Sequence, residues 1–289
     1  MKKILLFSVV AIAAGMAFTS CTSKEDPLEK VPAHKGLQFC IPASFAGNAD
    51  TRVLIEDGNS LISEWTEGDL VYVYCNNNRY FDSQTLSADA SGANANLVGE
   101  LTEDKYSVGN ELTLVYTYKT YASLGVIEGF SYTPGTGQKG TFEDVQNYDY
   151  STAIVEVTAV DGGKVTTTNA SFKPYQSIFK FTFKDSGENL INVKKLTISS
   201  DNGKIIDSGR PSPGQNDHSG PITVNLESAS SEVWVAICLN ESITEDVITF
   251  AVEDAAGKTY ECKKNASSEK PLNGKYYQST IELTETTVD

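Results

Sequence analysis

The sequence predicts an all-β protein. Tyr, Thr, Val, Ile and Phe recur in short alternating runs, and turn-forming pairs such as Asp57-Gly58 and Asn273-Gly274 separate these runs. No stretch repeats its apolar residues with the 3.6-residue period of a helix for more than a turn or two. Because 289 residues are more than one β-sandwich normally needs, we expect two β-domains in tandem.

The clearest strand signals are runs of alternating or β-branched residues that end at turn residues. They are Leu37 to Phe45, Leu70 to Cys75, Leu112 to Tyr118, Ser151 to Val157, Ser177 to Phe183, Val193 to Ser199, Ile222 to Leu226, Glu232 to Leu239, Val247 to Val252 and Tyr276 to Leu283. The pattern restarts after the turn from Asp161 to Lys164. We therefore predict an N-terminal domain over residues 37–163 and a C-terminal domain over residues 164–289.

The start of the chain predicts a lipoprotein signal peptide over residues 1–20. A positive start at Lys2 and Lys3 precedes an apolar run from Ile4 to Phe18, which is too short to span a bilayer stably. Small residues then lead to Cys21. A cysteine at the cut point is typical of bacterial lipoproteins, which carry acyl chains such as palmitate on that residue, so we predict Cys21 as the lipidation site. The alternative is a signal peptide that ends on a cysteine by chance.

Residues 21–36 form a predicted flexible linker behind the lipid. The segment is polar, charged and contains proline, which suits a spacer. Within it, Lys24-Glu25-Asp26 resembles the acidic export signal that sends some lipoproteins of anaerobic Gram-negative bacteria to the outer face of the outer membrane. We expect a protein anchored by lipid in the outer membrane and exposed at the cell surface. An ordinary solvated spacer is the alternative to the export signal.

Charge narrows the choice of partners. The chain holds 23 basic and 38 acidic residues, a formal net charge of −15. Such a chain repels nucleic acid and anionic membrane surfaces, so neither is an expected partner. The plainer interpretation of the same charge is a well-solvated surface.

The cysteines and histidines predict no metal site. Beyond Cys21 the mature chain has four cysteines, and their pairing is left open because four cysteines allow three disulfide patterns. They are Cys40, Cys75, Cys238 and Cys262. None is in a Cys-x-x-Cys pair, and the chain has only two histidines, so zinc coordination is not expected. One or more disulfides and buried thiols are the alternatives.

No motif predicts catalysis or a cofactor. Gly135 to Gly140 spells Gly-x-Gly-x-x-Gly, but no helical run follows it, so we interpret it as a mobile loop rather than a dinucleotide site. Asp201 with Asp207 and Glu143 with Asp144 are acidic pairs that a chain rich in carboxylates contains by chance. No Gly-x-Ser-x-Gly is present. We predict that the protein is not an enzyme and binds no cofactor.

Four sequence pieces follow one another along most of the mature chain. They are Gln38 to Phe45 with the following Thr51-Arg52, Trp65-Thr66-Glu67-Gly68-Asp69 before a strand, Ala95 to Leu101, and Leu272 to Tyr277 before the last strand. Together they resemble the fimbrillin family of lipoprotein pilus subunits. The resemblance implies two transthyretin-like β-sandwich domains and a role in a fimbrium or in cell adhesion. The Tyr-Pro usual in the family after the third strand is absent at Val115 to Tyr118.

The first strand is the predicted functional element. Its side chains Leu37, Phe39, Ile41 and Phe45 fall on one face together with Ala43. Pro42 cannot donate a hydrogen bond to a ladder, so we predict that the strand lies at a sheet edge. In fimbrillins a trypsin-like cut removes such a strand, and the resemblance implies Arg52 as the cut site.

If this first strand is removed, we expect assembly with other subunits by strand addition. The four large apolar side chains each contribute a burial free energy of about 1.5–3 kcal/mol. Their removal would leave an apolar groove, which a strand of another pilus subunit could fill. An ordinary loop at Arg52 is the alternative. Polymerising members of the family donate a C-terminal strand, and only Thr284 to Asp289 follow the last predicted strand here. Either that strand is the donor, or the chain is a tip or accessory subunit that accepts without donating.

Tyrosines support an alternative function. Tyr116, Tyr118 and Tyr121, and also Tyr148 and Tyr150, are close together in the sequence. Exposed on one face, they could stack on sugars, as in a stand-alone surface glycan-binding lipoprotein of an uptake system. The plainer interpretation is that these residues fill half-buried strands or an interface.

Overall fold

The structure is a computed structural model, and it describes the chain in segments. They are residues 36–45, 55–57, 60–62, 64–75, 84–102, 106–117, 137–148, 150–174, 177–202, 205–207, 221–239, 246–266 and 274–286. Cys21, Arg52, Thr51, Tyr118, Tyr121 and the Lys24-Glu25-Asp26 signal lie outside the described residues.

The first domain is one curled sheet of eight strands. Its strands are β1 (Gly36–Phe45), β4 (Leu70–Cys75), β5 (Gln84–Ala88), β6 (Asn94–Thr102), β7 (Glu111–Thr117), β8 (Tyr150–Asp161), β9 (Lys164–Thr167) and β10 (Ala170–Pro174). They run in the order β10-β1-β6-β5-β4-β7-β8-β9. Further pairings of β1 with β9 and of β10 with β8 bring the two ends of this order together. A separate short hairpin, β2 (Ile55–Asp57) and β3 (Ser60–Ile62), lies between β1 and β4 in the chain.

The second domain is a second eight-stranded sheet in two halves. Its strands are β11 (Ser177–Asp185), β12 (Val193–Ser200), β13 (Ile205–Asp207), β14 (Ile222–Ser230), β15 (Glu232–Leu239), β16 (Val247–Asp254), β17 (Thr259–Asn265) and β18 (Tyr276–Glu285). The order is β13-β15-β11-β18-β17-β16-β12-β14. In the described residues the halves are joined by the short β17–β18 ladder, where Tyr260 and Glu261 pair with Glu285 and Thr284.

Each domain has its own core, because alternate residues of its strands point inward. The first core includes Trp65 and Phe172, and the second includes Phe183 and Leu196. The all-β class and the two tandem domains are confirmed. Among the described residues, the helical content is α1 (Phe142–Val145) and one 3₁₀ turn (Gln146–Tyr148).

The predicted domain boundary needs correction. The turn at Asp161 to Lys164 joins β8 to β9, and these strands pair with each other in the first sheet. The chain enters the second sheet only after Pro174, at Ser177. The Asp-Gly-Gly turn marks a hairpin, and a hairpin signal says nothing about which sheet its strands join.

The predicted edge position of β1 is also wrong. β6 flanks this strand on one side, and β9 and β10 flank it on the other. Pro42 therefore lies in an interior strand.

No helix in the described part of the chain has the length and apolar composition to cross a bilayer.

Candidate functional site

β1 inserts one continuous apolar face into the first core. Leu37, Phe39 and Ile41 are 4%, 3% and 0% exposed, Ala43 is buried and Phe45 is half-buried. Successive side chains of a strand point to opposite faces, which gives this alternation. The residues predicted to be released with the strand therefore lie on its core side.

Aromatic rings from separate segments line the core side of β1. Phe39 meets Tyr106 edge-on, with ring centroids 5.0 Å apart. Phe45 lies 4.7 Å from the ring of Trp65, and Trp65 lies 5.4 Å from the ring of Phe172. Such pairs contribute about 0.5–1.5 kcal/mol beyond the area that they bury. Without β1, these rings would border a groove.

The Trp-x-x-Gly-Asp piece fixes the ring that supports Phe45. The Asp69 carboxylate accepts a 2.6 Å hydrogen bond from the Thr66 N–H, and the Asp69 N–H donates to the Thr66 carbonyl at 3.0 Å. Gly68 has a φ of +86°, which a side chain would disfavour. This closed turn holds Trp65 at the first core and leads directly into β4.

The first and third sequence pieces are ladder partners. β1 pairs antiparallel with β6 from Gly36 to Ser44. The core-facing partners are Leu37 with Leu101, Phe39 with Gly99, and Ile41 with Leu97. The motif residues that the resemblance treats as separate signals therefore lie side by side in the first sheet.

Gly99 is required by close packing on β5. A Cβ at this position would lie 2.9 Å from Leu86 Cδ2 and 3.2 Å from the Thr85 carbonyl oxygen. The missing side chain lets β6 approach β5 opposite Phe39. This gives the apolar-Gly-x-Leu piece a steric explanation.

On its other side β1 has two short parallel ladders with a break between them. Gln38 and Phe39 pair with β9, and residues Ala43 to Phe45 pair with β10. The Gln38 N–H donates to the Gly163 carbonyl at 2.8 Å, so N–H groups at even-numbered positions point to this side. Pro42 is one of those positions. Its missing N–H therefore faces the break between β9 and β10, where no ladder bond is lost.

The hairpin after the candidate cut site is held by a different core. Leu61 of β3 is 2% exposed and belongs to a third cluster of apolar residues. That cluster contains Val145, Ile178, Trp234 and Ala236. Residues on the two sides of Arg52 are thus held by separate contacts, β1 in the first sheet and β3 against the second domain.

The cysteines divide into two chemical states. Cys40, on the outer face of β1, is disulfide-bonded. Cys75 and Cys262 are half-buried thiols. The pKa of the Cys262 thiol is raised, mainly because the thiol is partly buried. Pairings that involve Cys75 or Cys262 are therefore absent from this structure.

The C-terminal strand is part of the second core. Ile281 and Leu283 are buried, whereas Ser279 is exposed and Tyr277 is half-buried. β18 runs parallel to β11 from Tyr276 to Leu283. The predicted inward alternation thus holds fully only at the end of the strand.

The segment interpreted as a mobile loop is ordered against the second domain at residues 137–140, and a short helix follows it. Thr141 caps α1, and its Oγ1 accepts a 3.1 Å hydrogen bond from the Asp144 N–H. The Asp144 carboxylate accepts from the Lys139 N–H at 2.6 Å. In the acidic pair of residues 143 and 144, Asp144 therefore has a structural role. Asp201 is exposed, and the side chain of Asp207 lies outside the described residues.

The tyrosines do not form one described surface. Tyr116 is 2% exposed and packs near Trp65, so it belongs to the first core. Tyr148 is half-buried, and the side chain of Tyr150 lies outside the described residues. Within the described segments, no group of three or more His, Cys, Asp or Glu side chains could hold a metal ion.

Comparison with known proteins gives only distant structural similarity. No protein-family model matches the chain, and no curated protein matches it either. A structure described as a candidate cell adhesion protein from Bacteroides uniformis has a TM-score of 0.47 and 15% identity, over 89% of this chain and 98% of that chain. A candidate cell adhesion protein from Bacteroides ovatus has a TM-score of 0.47 and 14% identity, over 89% and 97%. A third, from Bacteroides fragilis, has a TM-score of 0.45 and 10% identity, over 87% and 97%. These similarities assign no function to this chain.

Proposed function

We propose that the protein is a fimbrillin-like surface adhesin, a structural or accessory pilus subunit whose first strand is exchanged for a strand of another subunit. The observation that carries the proposal is the position of β1, which closes the first sheet between β6 on one side and β9 and β10 on the other. Removal of such a strand exposes two rows of unpaired backbone groups and one apolar groove. Strand addition fills a site of this kind.

Chain order connects the anchor to the exchanged strand. Cys21 and β1 both precede Arg52, so a cut after Arg52 leaves lipid and β1 on one fragment and both domains on the other. The larger fragment would then keep its place through the noncovalent contacts of β1 and through the disulfide at Cys40. Lipid with two or more acyl chains holds stably in the outer membrane. Exchange of β1 would thus release the subunit from its own anchor into an assembly.

The groove sets the chemistry of the incoming strand. It needs large apolar side chains at every second position, because the positions now filled by Leu37, Phe39 and Ile41 face the core. Their burial is worth about 1.5–3 kcal/mol each. β18 supplies Ile281 and Leu283 to the second core. Donation of β18 would open that core. We therefore favour a subunit that accepts a strand over one that donates β18.

Limited trypsin digestion of a soluble form that starts after Cys21 tests the proposal. We expect one early cut after Arg52 by intact mass, followed by a ladder of stable oligomers on an unboiled gel. A cut without a ladder would indicate a tip or accessory subunit that awaits a donor. Each digestion is run with and without a reductant, because the disulfide at Cys40 adds a covalent bond to β1.

Two matched variants make the digestion specific. Arg52→Ala should remove the early cut, whereas Lys263→Ala, at an exposed residue of β17 in the second domain, should leave the cut and the ladder unchanged. Resistance of the unmodified protein at Arg52 would contradict the maturation step. For the lipidated form, partition into a detergent phase should be lost in Cys21→Ala.

A further inference from the structure

The second domain has a seam between β14 and β15. β14 is the last strand of one half-sheet and pairs with β12. β15 pairs with β11 on one side, and on its other side the described residues of β13 cover Ile237 to Leu239. From Glu232 to Ala236 the backbone groups of every second residue of β15 face the seam, and those of Trp234 and Ala236 are bonded there.

Residues 137–140 lie in this seam and bond to both strands. The Asn225 N–H of β14 donates to the Gln138 carbonyl at 2.9 Å. The Trp234 N–H of β15 donates to the Gly140 carbonyl at 3.0 Å. These residues come from the connection between β7 and β8 of the first domain. A segment that leaves the first sheet therefore closes the second.

The Gln138 side chain completes the closure as a peptide group would. It is 0% exposed. Its Nε2 donates to the Ala236 carbonyl at 2.9 Å, and its Oε1 accepts from the Ala236 N–H at 2.9 Å. To bond both the N–H and the carbonyl of Ala236, a side chain needs a donor and an acceptor in one plane, and a primary amide has both. Unmade, these bonds would leave buried polar groups without partners.

The flanks of the segment fit the seam sterically. Gly140 has a φ of +73°, and a Cβ there would lie 2.9 Å from Val224 Cγ1 and 3.1 Å from Leu226 Cδ1. Phe142 lies 4.8 Å from the ring of Trp234. The contact thus has two backbone hydrogen bonds, one buried side-chain amide, a glycine at a close approach and an aromatic contact. Backbone hydrogen bonds to a strand edge are also how strand-recognition sites bind an extended segment.

We propose that the seam between β14 and β15 is a strand-binding site, separate from the β1 groove, that recognises an extended segment through the side-chain amide of its glutamine. In this protein residues 137–140 occupy the site, and the same segment of a second copy is the partner that it fits. The site depends on neither cleavage at Arg52 nor removal of β1.

The test uses the full chain with Gln138→Glu. At neutral pH the carboxylate can still accept from the Ala236 N–H but cannot donate to the Ala236 carbonyl, and its charge would be buried at a position that is 0% exposed. The segment should therefore leave the seam, and we expect the amides of Trp234 and Ala236 to lose at least tenfold in hydrogen-exchange protection. A protonated carboxyl group has a donor and an acceptor, as the amide has, and burial raises the pKa of a carboxyl. Protection of Ala236 should therefore return as the pH is lowered. Gln138→Leu keeps the volume but has neither group, so its lost protection should not return.

A peptide measures recognition directly. A synthetic peptide of residues 136–148 should bind the Gln138→Leu protein at least tenfold more tightly than the unmodified protein, whose site is filled. The same peptide with glutamate in place of the glutamine should bind more weakly at neutral pH. Gly140→Ala provides a second opened protein if Gln138→Leu does not fold. Full protection of Ala236 in both Gln138 variants, or no peptide binding to an opened protein, would overturn the proposal.

Discussion

The two domains are each closed by a segment that is not adjacent in sequence to the strands it joins, but the closures differ in chemistry. β1 spans Gly36–Phe45 and places a row of apolar side chains in the first core. The seam of the second domain is closed by residues 137–140, whose central contact is the amide of Gln138. One closure depends mainly on the hydrophobic effect, and the other on directed hydrogen bonds.

The difference bears on which segment can be exchanged. An apolar strand can be replaced by any strand with the same alternation, because the hydrophobic effect is non-directional. A buried amide is satisfied only by a partner with the same donor and acceptor geometry. The first closure therefore suits replacement by different subunits, whereas the second suits a single sequence. Chain connectivity agrees, since one backbone cut together with reduction of the Cys40 disulfide frees β1, whereas residues 137–140 are joined to the first domain at both ends.

The largest expected effect is at the apolar closure. Phe39→Ala should lower the free energy of unfolding by about 3–5 kcal/mol, because it removes a buried ring and leaves a cavity beside Tyr106. Gln38→Ala on the exposed side of the same strand should change it by less than about 0.5 kcal/mol. Denaturant titration measures both. Equal effects would contradict the inward assignment of Phe39.

A second prediction concerns the polar chemistry of the second domain away from the seam. Asp246 is buried and accepts hydrogen bonds from the Ser200 hydroxyl, from the Asn202 N–H and side-chain amide at 3.1 Å, and from the Val247 N–H at 2.8 Å. Burial raises the pKa of Asp246, but the hydrogen bonds together lower it by more than burial raises it, so the net shift is downward. Asp246→Ala should cost about 1.5–3 kcal/mol of unfolding free energy at pH 7.

The sign of the pH dependence follows from that shift. Because the pKa of Asp246 is lower in the folded state, its contribution is complete above the ordinary aspartate pKa of about 3.9 and is lost as the pH falls through the folded value. The unfolding free energy of Asp246→Asn should lack this part of the acid dependence. Identical acid profiles for the two proteins would contradict the prediction.

Features of the fold that depend on neighbouring residues could be predicted from the sequence, whereas those that depend on distant residues could not. β4 and β15 have the predicted bounds, Leu70–Cys75 and Glu232–Leu239. Alternation along a strand is local, so the core face of β1 could also be predicted. The domain boundary could not, since β10 pairs with β1, which is more than a hundred residues earlier in the chain, and the β8–β9 hairpin signal does not say which sheet its strands join.

The seam shows the same limit in a polar segment. Gln138 is in a run of Gly, Thr and Lys that is typical of a loop. Its burial depends on the backbone of Ala236, nearly a hundred positions later in the chain. One signal was available, because Thr141-x-x-Asp144 is a helix-start pattern before Val145. It would have predicted the ordered turn of α1, although not its docking site.

A third prediction separates a shaped seam from a loose one. Gly140→Ala should lower the free energy of unfolding by about 1–2 kcal/mol from its left-handed backbone alone, and the contact with Val224 adds to this. Gly137→Ala is the matched control, because a Cβ there meets nothing within 4 Å. It should be neutral in the same denaturant titration. A neutral Gly140→Ala would show that the segment does not depend on close approach to β14.

The smallest effect is expected at the ion pair that borders the seam. Lys139 Nζ lies 2.7 Å from Glu227 Oε1, with side chains 56% and 76% exposed. The hydrogen bond and charge of Glu227 raise the pKa of Lys139, yet water and salt screen a pair this exposed. Lys139→Met should therefore leave the unfolding midpoint unchanged at physiological salt, whereas Gln138→Leu, one residue away, should cost about 1–3 kcal/mol for the unpaired Ala236 groups. A loss in Lys139→Met that disappears at high salt would mean that charge, rather than the buried amide, holds the segment in the seam.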